Sequence, residues 1–539
     1  MQSLLTAAWW PVRMRDGSRR WIAPDEMSDP DIVSFDADRP DFNGALSQMA
    51  IALLTTFAPL KNEREWKAWF NSPPDRVTLR AWWASKDDLF AFDGPGARFM
   101  QDLTLATEPD VGVASLFIDS PGENAIKNNS DHFVKRGRIT QLCPHCAITG
   151  LLTLQVNAPA GGAGHRTGLR GGGPLTTLVV CQPSRSLWHD LWLNVIEPPE
   201  QYVHGGDPKK TSPHFTFPWM APITAIQEEK GETAPIQVHP LHIHWAMPRR
   251  IRLDFDRVHA GECDVCHRES ERLVSRYATA PYGLNYKGPW DHVLSPYYGT
   301  KEGWLPLHPQ PGGFGYRHWL SWVLGVADEK NRQRPARIVT HHYTTRRQRL
   351  TGGALALWAF GFDMDNMKAR AWYQSRLPLF NLDDCSPDQL NELQGSVTRW
   401  LHAARDSLSV LRNAVKDAWF NGEARGDFSA IDAAFWSATE PPFYDLLKRR
   451  IDAIAAGVNE DDTPLSEVWL QVLQRQAVSL FEGVFVGAGM IDRKNPARTA
   501  KAHRLLKGFM KGDKLRSVLA LPGHDKPQIT KSRATKTTK

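Results

Sequence analysis

Two short cysteine motifs most constrain how this chain can fold. Cys143-Pro-His-Cys146 and Cys263-Asp-Val-Cys266 each present a thiolate pair, with Cys146 and Cys263 117 positions apart. Thiolates are soft, tight ligands for Zn2+, and four of them close a tetrahedral structural site with no position left for substrate. If the knuckles meet, segments far apart in sequence belong to one domain and the metal joining them is architectural. Two unrelated reduced pairs, or a redox pair, are the bland alternative. His145 and His267 adjoin the knuckles, but four cysteines need no further ligand. Cys181 and Cys385 stand alone and read as core residues. Six cysteines in 539 residues exclude a disulfide scaffold, so a cytoplasmic protein is the expectation.

Along the chain two regimes alternate. Residues 1–375 are rich in Pro, Gly and Trp, with short elements and frequent turns, and read as an irregular mixed α/β body. Arg39-Pro-Asp-Phe-Asn43 leads into a helix with Leu46, Met49, Leu53, Leu54 and Phe57 on its apolar face, capped by Asp41 or Asn43. Strand-like runs cover Leu151–Val156, Leu175–Cys181, Ile236–His244, Arg249–Phe255 and Ala336–Tyr343. From 376 to 520 the pattern is helical. Ser386-Pro387-Asp388 is a start signal, and Leu390 to Val415 repeats at three and four residues. Further helical stretches run from Phe428 to about Ala455 (through Pro441-Pro442), from Thr463 to about Val486, and from Pro496 to about Leu519. Four such helices with short connections predict an antiparallel four-helix bundle. No stretch reaches the ~20 apolar residues of a membrane helix. The 21 tryptophans imply an aromatic-heavy core or aromatic interfaces.

Charge is distributed unevenly. Residues 491–539 carry 14 Lys/Arg against 3 Asp/Glu, a balance of +11, while the other 490 residues stand at −5. Such an end suits a phosphate backbone, although a solvated helix with a disordered tail has the same composition. Residues 521–539 read as that basic tail.

The run Ala158–Pro174 holds seven glycines with Arg166 and Arg170 among them. Its backbone can approach a partner closely, and its glycine spacing matches neither a phosphate-binding loop nor a dinucleotide fingerprint. Backbone-plus-arginine contact with nucleic acid is better supported than a nucleotide-hydrolysing site; as composition, a flexible surface loop fits equally well. Catalytic patterns are weak. His242-Ile-His244 on an alternating strand puts both imidazoles on one face without further ligands. Asp291-His292, His341-His342 and His524-Asp525 are isolated. No nucleophile elbow or paired-acid motif occurs, so no catalytic residue is assigned.

These residues together resemble the CasA-type large subunit of the type I-E CRISPR surveillance complex, Cascade. The resemblance spans nearly the whole chain. It rests on Trp9-Trp10-Pro-Val-Arg13 and Arg39-Pro-Asp-Phe-Asn43, then Thr167-Gly-Leu-Arg-Gly-Gly-Gly-Pro-Leu-Thr-Thr177, the two knuckles and the C-terminal bundle, in the family's order. It implies a subunit that recognises a short protospacer-adjacent motif in duplex DNA, helps start strand separation and R-loop formation, and recruits the nuclease-helicase. Guide pairing reads the remaining sequence.

By position, the family's motif-reading glycine loop matches Gly161, Gly162, Ala163 and Gly164, with Arg166 beside it. Recognition in the family is mainly through the minor groove, whose pattern is degenerate. The strand-separating wedge matches Asp365, Asn366 and Met367, where an acid and a methionine replace the family's polar amides; Met367 is suited to enter a base step. A loop before the first knuckle, about Phe117 to Arg138, carries Lys127, Lys135, Arg136 and Arg138 and matches the family's contact with the RNA-bearing subunits. The family lysine beyond the second knuckle falls near Thr279, leaving Arg276 and Lys287 as basic neighbours. In the bundle, Lys501, Arg504, Lys507, Lys511 and Lys514 fit phosphate contacts.

The reading from sequence is therefore an α+β chain: a large irregular body with a four-cysteine zinc site, followed by the bundle. It is a non-catalytic subunit whose partners are other Cascade subunits with their crRNA, double-stranded target DNA and a recruited nuclease-helicase, with no membrane. The competing classes are a zinc-dependent nucleic-acid-processing enzyme using His242 and His244 or the glycine loop, and a scaffold serving protein contacts alone.

Overall fold

Proline and glycine cut the first 380 residues into short strands and turns, so the sheets are small and antiparallel. The computed structural model describes residues 3–105, 108–122, 126–129, 135–162, 164–198, 202, 205–328, 331–346, 353–365, 367–383, 385–421, 426–457, 462–487 and 495–523. They divide into two compact units, Met1–Phe314 with Ser321–Asp383, and Gly315–Leu320 with Asp384–Lys539. Ala163, Asn366 and residues 524–539 lie outside the described residues.

In the first unit, Trp10–Met14 runs between Arg19–Ile22 and Ile32–Phe35. Val111–Gly112, Arg276–Ala280 and Arg250–Leu253 form a second sheet, and His259–Glu262 pairs with Glu269–Leu273. The largest element is a hairpin of two 12-residue strands, Ala354–Asp365 and Lys368–Leu379, joined on its outer side by Thr176–Gln182. Thr176 lies opposite Phe360, so residues 361–365 pair with Lys368–Tyr373 alone. The hairpin thus extends about 17 Å past its third strand, at ~3.4 Å per residue.

The helix Pro40–Phe57 packs beneath this ribbon. A Cβ on Gly44 would stand 2.8 Å from the Phe360 ring and 3.1 Å from Trp372, which is why a poor helix former occupies its first turns. The helix is capped differently from the sequence reading. Arg39 is the N-cap, Asp41 lies inside the first turn, and the Asn43 side chain accepts from the Ala37 amide at 2.8 Å.

The tryptophans answer the compositional anomaly. At least eleven are almost fully buried, so most serve the core. Trp66 and Trp192 exchange hydrogen bonds, each indole N–H donating to the other's carbonyl at 3.1 and 2.9 Å, which leaves neither of these buried donors unpaired.

Three strand expectations fail. Leu151–Val156 belongs to a helix, Pro144–Asn157. Ile236–His244 forms tight single turns. Ala336–Tyr343 is a short helix widening into a looser turn, Arg337–His341 and His342–Arg346. Leu151–Val156 is a short apolar run, for which periodicity cannot separate strand from buried helix. Ile236–His244 alternates, but Pro240 within it opens a tight turn, and Ala336 caps a short helix instead of continuing a strand. Leu175–Cys181 and Arg249–Phe255 do contain strands, Thr176–Gln182 and Arg250–Leu253.

The second unit is helical: Pro387–Trp419, Ser429–Ala455, Thr463–Ser479 and Pro496–Met510, with a short fifth helix Asp513–Val518 after a break at Lys511-Gly512. Ser386 caps the first helix reciprocally with Gln389. Pro441-Pro442 sits within the second helix without ending it. The segment Gly315–Leu320 joins this unit through Tyr316, whose hydroxyl meets Thr439 Oγ1 at 2.9 Å and whose ring lies 4.3 Å from Phe443. Residue 375 falls inside a strand, and Leu521 is buried. Trp400 donates to Ser466 Oγ at 2.9 Å, and its carbonyl accepts from Trp469 at 3.0 Å. Trp400→Ala is expected to cost about 3–5 kcal/mol, read as a lower denaturant midpoint for the helical unit.

Candidate metal centre and nucleic-acid interface

The two knuckles meet. Cys143 is the N-cap of the helix Pro144–Asn157, which places Cys146 in its first turn. Cys263 and Cys266 occupy the turn between His259–Glu262 and Glu269–Leu273. All four cysteines are buried and unbridged, and their sulfurs lie within 4.8 Å of one another. Cys143 Sγ and Cys266 Sγ are 3.7 Å apart, against about 3.8 Å for two ligands of a tetrahedral zinc with ~2.3 Å Zn–S bonds. The donor set fits Zn2+ by both number and spacing.

Surrounding groups hold the knuckles in register. Asp264 accepts from the Thr140 amide, the Thr140 hydroxyl and the Gln141 amide at 2.6, 2.9 and 3.0 Å. Leu142 and Val274 exchange backbone hydrogen bonds. Hydrogen bonds with Cys143 lower the Cys263 and Cys266 thiols and raise that of Cys146, so the four sulfurs act as one set. His145 is pushed down to about 4 by burial and lies beside the Trp21 ring. His267 is exposed and paired with Glu262 at 2.8 Å. Neither histidine joins the sulfurs in the metal-ligating cluster.

The glycine loop leaves this helix and feeds the strand Thr176–Gln182. Gly162 and Gly164 have φ of +65° and +84°, a region that L-residues other than Asn and Asp seldom enter. The turn is closed by the His165 amide donating to Gly162 O at 2.8 Å and the Gly161 amide to His165 O at 3.2 Å. A Cβ on Gly161 would meet His165 Cβ at 2.6 Å and Arg249 Nη1 at 2.7 Å, whereas one on Gly162 meets nothing within 4 Å. Gly162 therefore offers bare backbone to solvent.

Beside it stands a residue that sequence reading missed. Tyr282, 39% exposed, donates its amide to Gly164 O at 2.9 Å. Arg166 lies 5.6 Å from its ring centre and Lys230 5.3 Å. Tyr282 and Lys230 both have φ of +60°, an unusual conformation for such side chains and one that concentrates at ligand-contacting loops. The basic groups thus come from Arg166 and Lys230. Thr279 is bound to Arg250 O, and Arg276 donates to Asp110 O. Only Arg166's place in the glycine run was a signal in the sequence; Lys230 is too distant along the chain to have been found. Arg170 is a core residue.

At the hairpin tip, Asp365 pairs with Lys368. Met367 has φ of +77° and is 55% exposed. Arg370 lies 2.7 Å from Asp363 and 3.7 Å from Asp365, so the tip carries cations, Lys368 and Arg370, that offset its acids. Tip and glycine loop share a scaffold. A Cβ on Gly173 would stand 2.7 Å from Phe362, and one on Gly361 2.6 Å from Pro174 O, fixing the loop's end against the ribbon.

His242 and His244 do not form a metal site. Both ring nitrogens of His242 are engaged, Nδ1 with Phe215 O and Nε2 with the Tyr286 hydroxyl, each at 2.9 Å. In the helical unit, Lys501, Arg504, Lys507, Lys511 and Lys514 are all exposed. Lys507 meets Glu482 at 3.2 Å and Lys514 lies 3.9 Å from Asp406, while Lys501, Arg504 and Lys511 form no ion pair among the described residues. No helix of the described residues is long and apolar enough to cross a membrane.

A family model described as CRISPR-associated protein Cse1 matches residues 3–480. Among solved structures, Cse1 of Thermobifida fusca is 16% identical with a TM-score of 0.67, covering 96% of this chain and 98% of that one. CasA (Cse1) of Thermus thermophilus is 15% identical with a TM-score of 0.64, covering 94% and 100%. A chain of a CRISPR RNA-guided surveillance complex is 17% identical with a TM-score of 0.61, covering 94% and 99%.

Proposed function

The chain belongs to the CRISPR-associated Cse1 family, and on that premise we propose that it is the non-catalytic large subunit of a crRNA-guided type I-E surveillance complex that recognises the protospacer-adjacent motif in duplex DNA. The observation that carries the reading is the loop at Gly162: bare backbone in a left-handed turn, flanked by Tyr282 between two cations. Backbone without side chains can lie against base edges in a narrow groove, and the flanking cations suit the phosphates on either side. In this reading Met367, at the end of a stiff ribbon, enters the base step next to the motif and starts unstacking. Asp365 and Asn366 complete the wedge. Lys501, Arg504 and Lys511 contact the phosphates of displaced DNA, and the subunit is the cytoplasmic platform to which the nuclease-helicase is recruited. The zinc held by Cys143, Cys146, Cys263 and Cys266 supplies architecture, since four thiolates leave it no open position.

The test is a gel shift with the guide-RNA complex assembled with and without this chain, on duplexes of identical guide-matched sequence carrying a permissive or a scrambled flank. Tight binding is expected only with the chain present and the permissive flank, falling steeply with salt. Tyr282→Ala and Met367→Ala should each weaken that binding roughly tenfold, the scale of one lost base-step contact. Binding indifferent to the flank would overturn the motif-reading role, and the scaffold reading would replace it.

A further inference from the structure

Arg170 is a buried cation without a matching anion. It is 4% exposed, and it sits at the foot of the glycine loop. One terminal nitrogen donates to Thr176 Oγ1 at 2.9 Å and Ser295 Oγ at 3.0 Å, and the other donates to Gln48 Oε1. All three acceptors are neutral. A guanidinium has five N–H donors, so two are not used by these bonds. No carboxylate among the described residues pairs with it. Burying a charge without a counter-charge costs several kcal/mol, and here desolvation holds the guanidinium down to about 10.

Arg170 lines a cavity of about 30 Å3 together with Gln48, Gln155, His244 and His292. Such a volume holds one or two water-sized particles. His244 and His292 lie with ring centres 5.6 Å apart, and burial holds both neutral, His244 at about 3. A neutral imidazole carries no charge of its own and still offers an N–H to an anion. His244 Nε2 is buried without a hydrogen-bond partner, as a group awaiting a further ligand would be. Apolar side chains, among them Met49, Leu152 and Ile243, make up much of the remaining wall.

We propose that this cavity is a binding site for a small monovalent anion of the halide class, chloride in the cell, held by Arg170 and the neutral His244–His292 pair. One buried cation with neutral neighbours suits a monovalent anion better than doubly charged sulfate or phosphate, whose second charge would be buried uncompensated. The site would tie the strand Thr176–Gln182 to the segment around Ser295 and so brace the foot of the glycine loop. It does not depend on what that loop binds.

Thermal unfolding in sodium chloride or bromide, against sodium gluconate at equal ionic strength, tests it. A midpoint higher by about 2 °C in halide is expected once the site is about tenfold saturated. Gln48→Glu keeps the cation and places a carboxylate where the amide oxygen already accepts from Arg170, so it should fold and lose the halide dependence. Arg170→Met should lose it too. Crystals grown in bromide should show an anomalous peak within the cavity. Equal midpoints in halide and gluconate for the unaltered protein, halide dependence retained by Gln48→Glu, or only water in the bromide crystal would each overturn the site.

Discussion

Cys263→Ser is expected to yield no metal-bound protein and little soluble protein. Metal binding at a site of this kind is coupled to folding, and structural zinc contributes about 10–16 kcal/mol in small zinc-binding peptides, on the order of a whole domain's stability. Here the coupling has a specific target. The first knuckle caps the helix Pro144–Asn157 and the second turns the hairpin His259–Leu273. Without the metal, four thiols crowd within 4.8 Å, and the link between these segments falls to hydrogen bonds such as those on Asp264. Zinc content by atomic emission and soluble yield measure the effect. Cys385→Ser, at a buried cysteine outside the knuckles, should keep one zinc per chain. A stable Cys263→Ser protein without metal would reject the four-cysteine site.

Gly162→Asp should abolish motif-dependent DNA binding by the assembled complex while leaving the protein folded. The two halves of this expectation rest on different facts. Folding survives because the added Cβ meets nothing within 4 Å and because aspartate enters the left-handed region more readily than most residues; the melting midpoint should move by less than about 2 °C. Binding fails because a carboxylate would stand where bare backbone is proposed to meet the duplex, repelling phosphate and blocking the groove. A loss of at least roughly tenfold is expected in the gel shift with the permissive flank. Gly161→Asp is a useful contrast, since its Cβ would collide with His165 and Arg249 and should lower stability as well. Unchanged binding by a folded Gly162→Asp protein would remove the loop from recognition and leave family membership intact.

Sequence carried further in some regions than in others. The knuckles could be paired before any fold was known because the chemistry of two cysteines three apart is local and four-coordination demands a second pair. The bundle was legible because a 3.6-residue repeat over several turns has no other stable solution, and Ser386 marked its start. Where runs were short, local pattern failed. Leu151–Val156 has strand-like composition, yet Cys143-Pro144 starts a helix that carries through it. Ala336–Tyr343 is equally short, and its helix begins within the run, at Arg337.

At the candidate interface the division is sharper. The glycine run and Met367 could be picked out because glycine excess and family order are written along the chain. Tyr282 and Lys230 could not, because they reach Arg166 and Gly164 through backbone turns with positive φ, and nothing in their own neighbourhoods specifies such turns. Arg166 and Arg170 look alike along the chain; burial alone separates a cation over Tyr282 from one sealed in the core. Likewise, His242 and His244 resembled a ligand pair until Phe215 and Tyr286 took both nitrogens of the first. What the sequence settled by itself was therefore the pairing of the two cysteine knuckles, the helical third and the family, all of which depend on local spacing and order. Which charges are buried, which side chains share the loop's surface, and where Gly315–Leu320 belongs were decided by the tertiary structure, because burial and long-range contact are properties of the packed chain and of no segment within it.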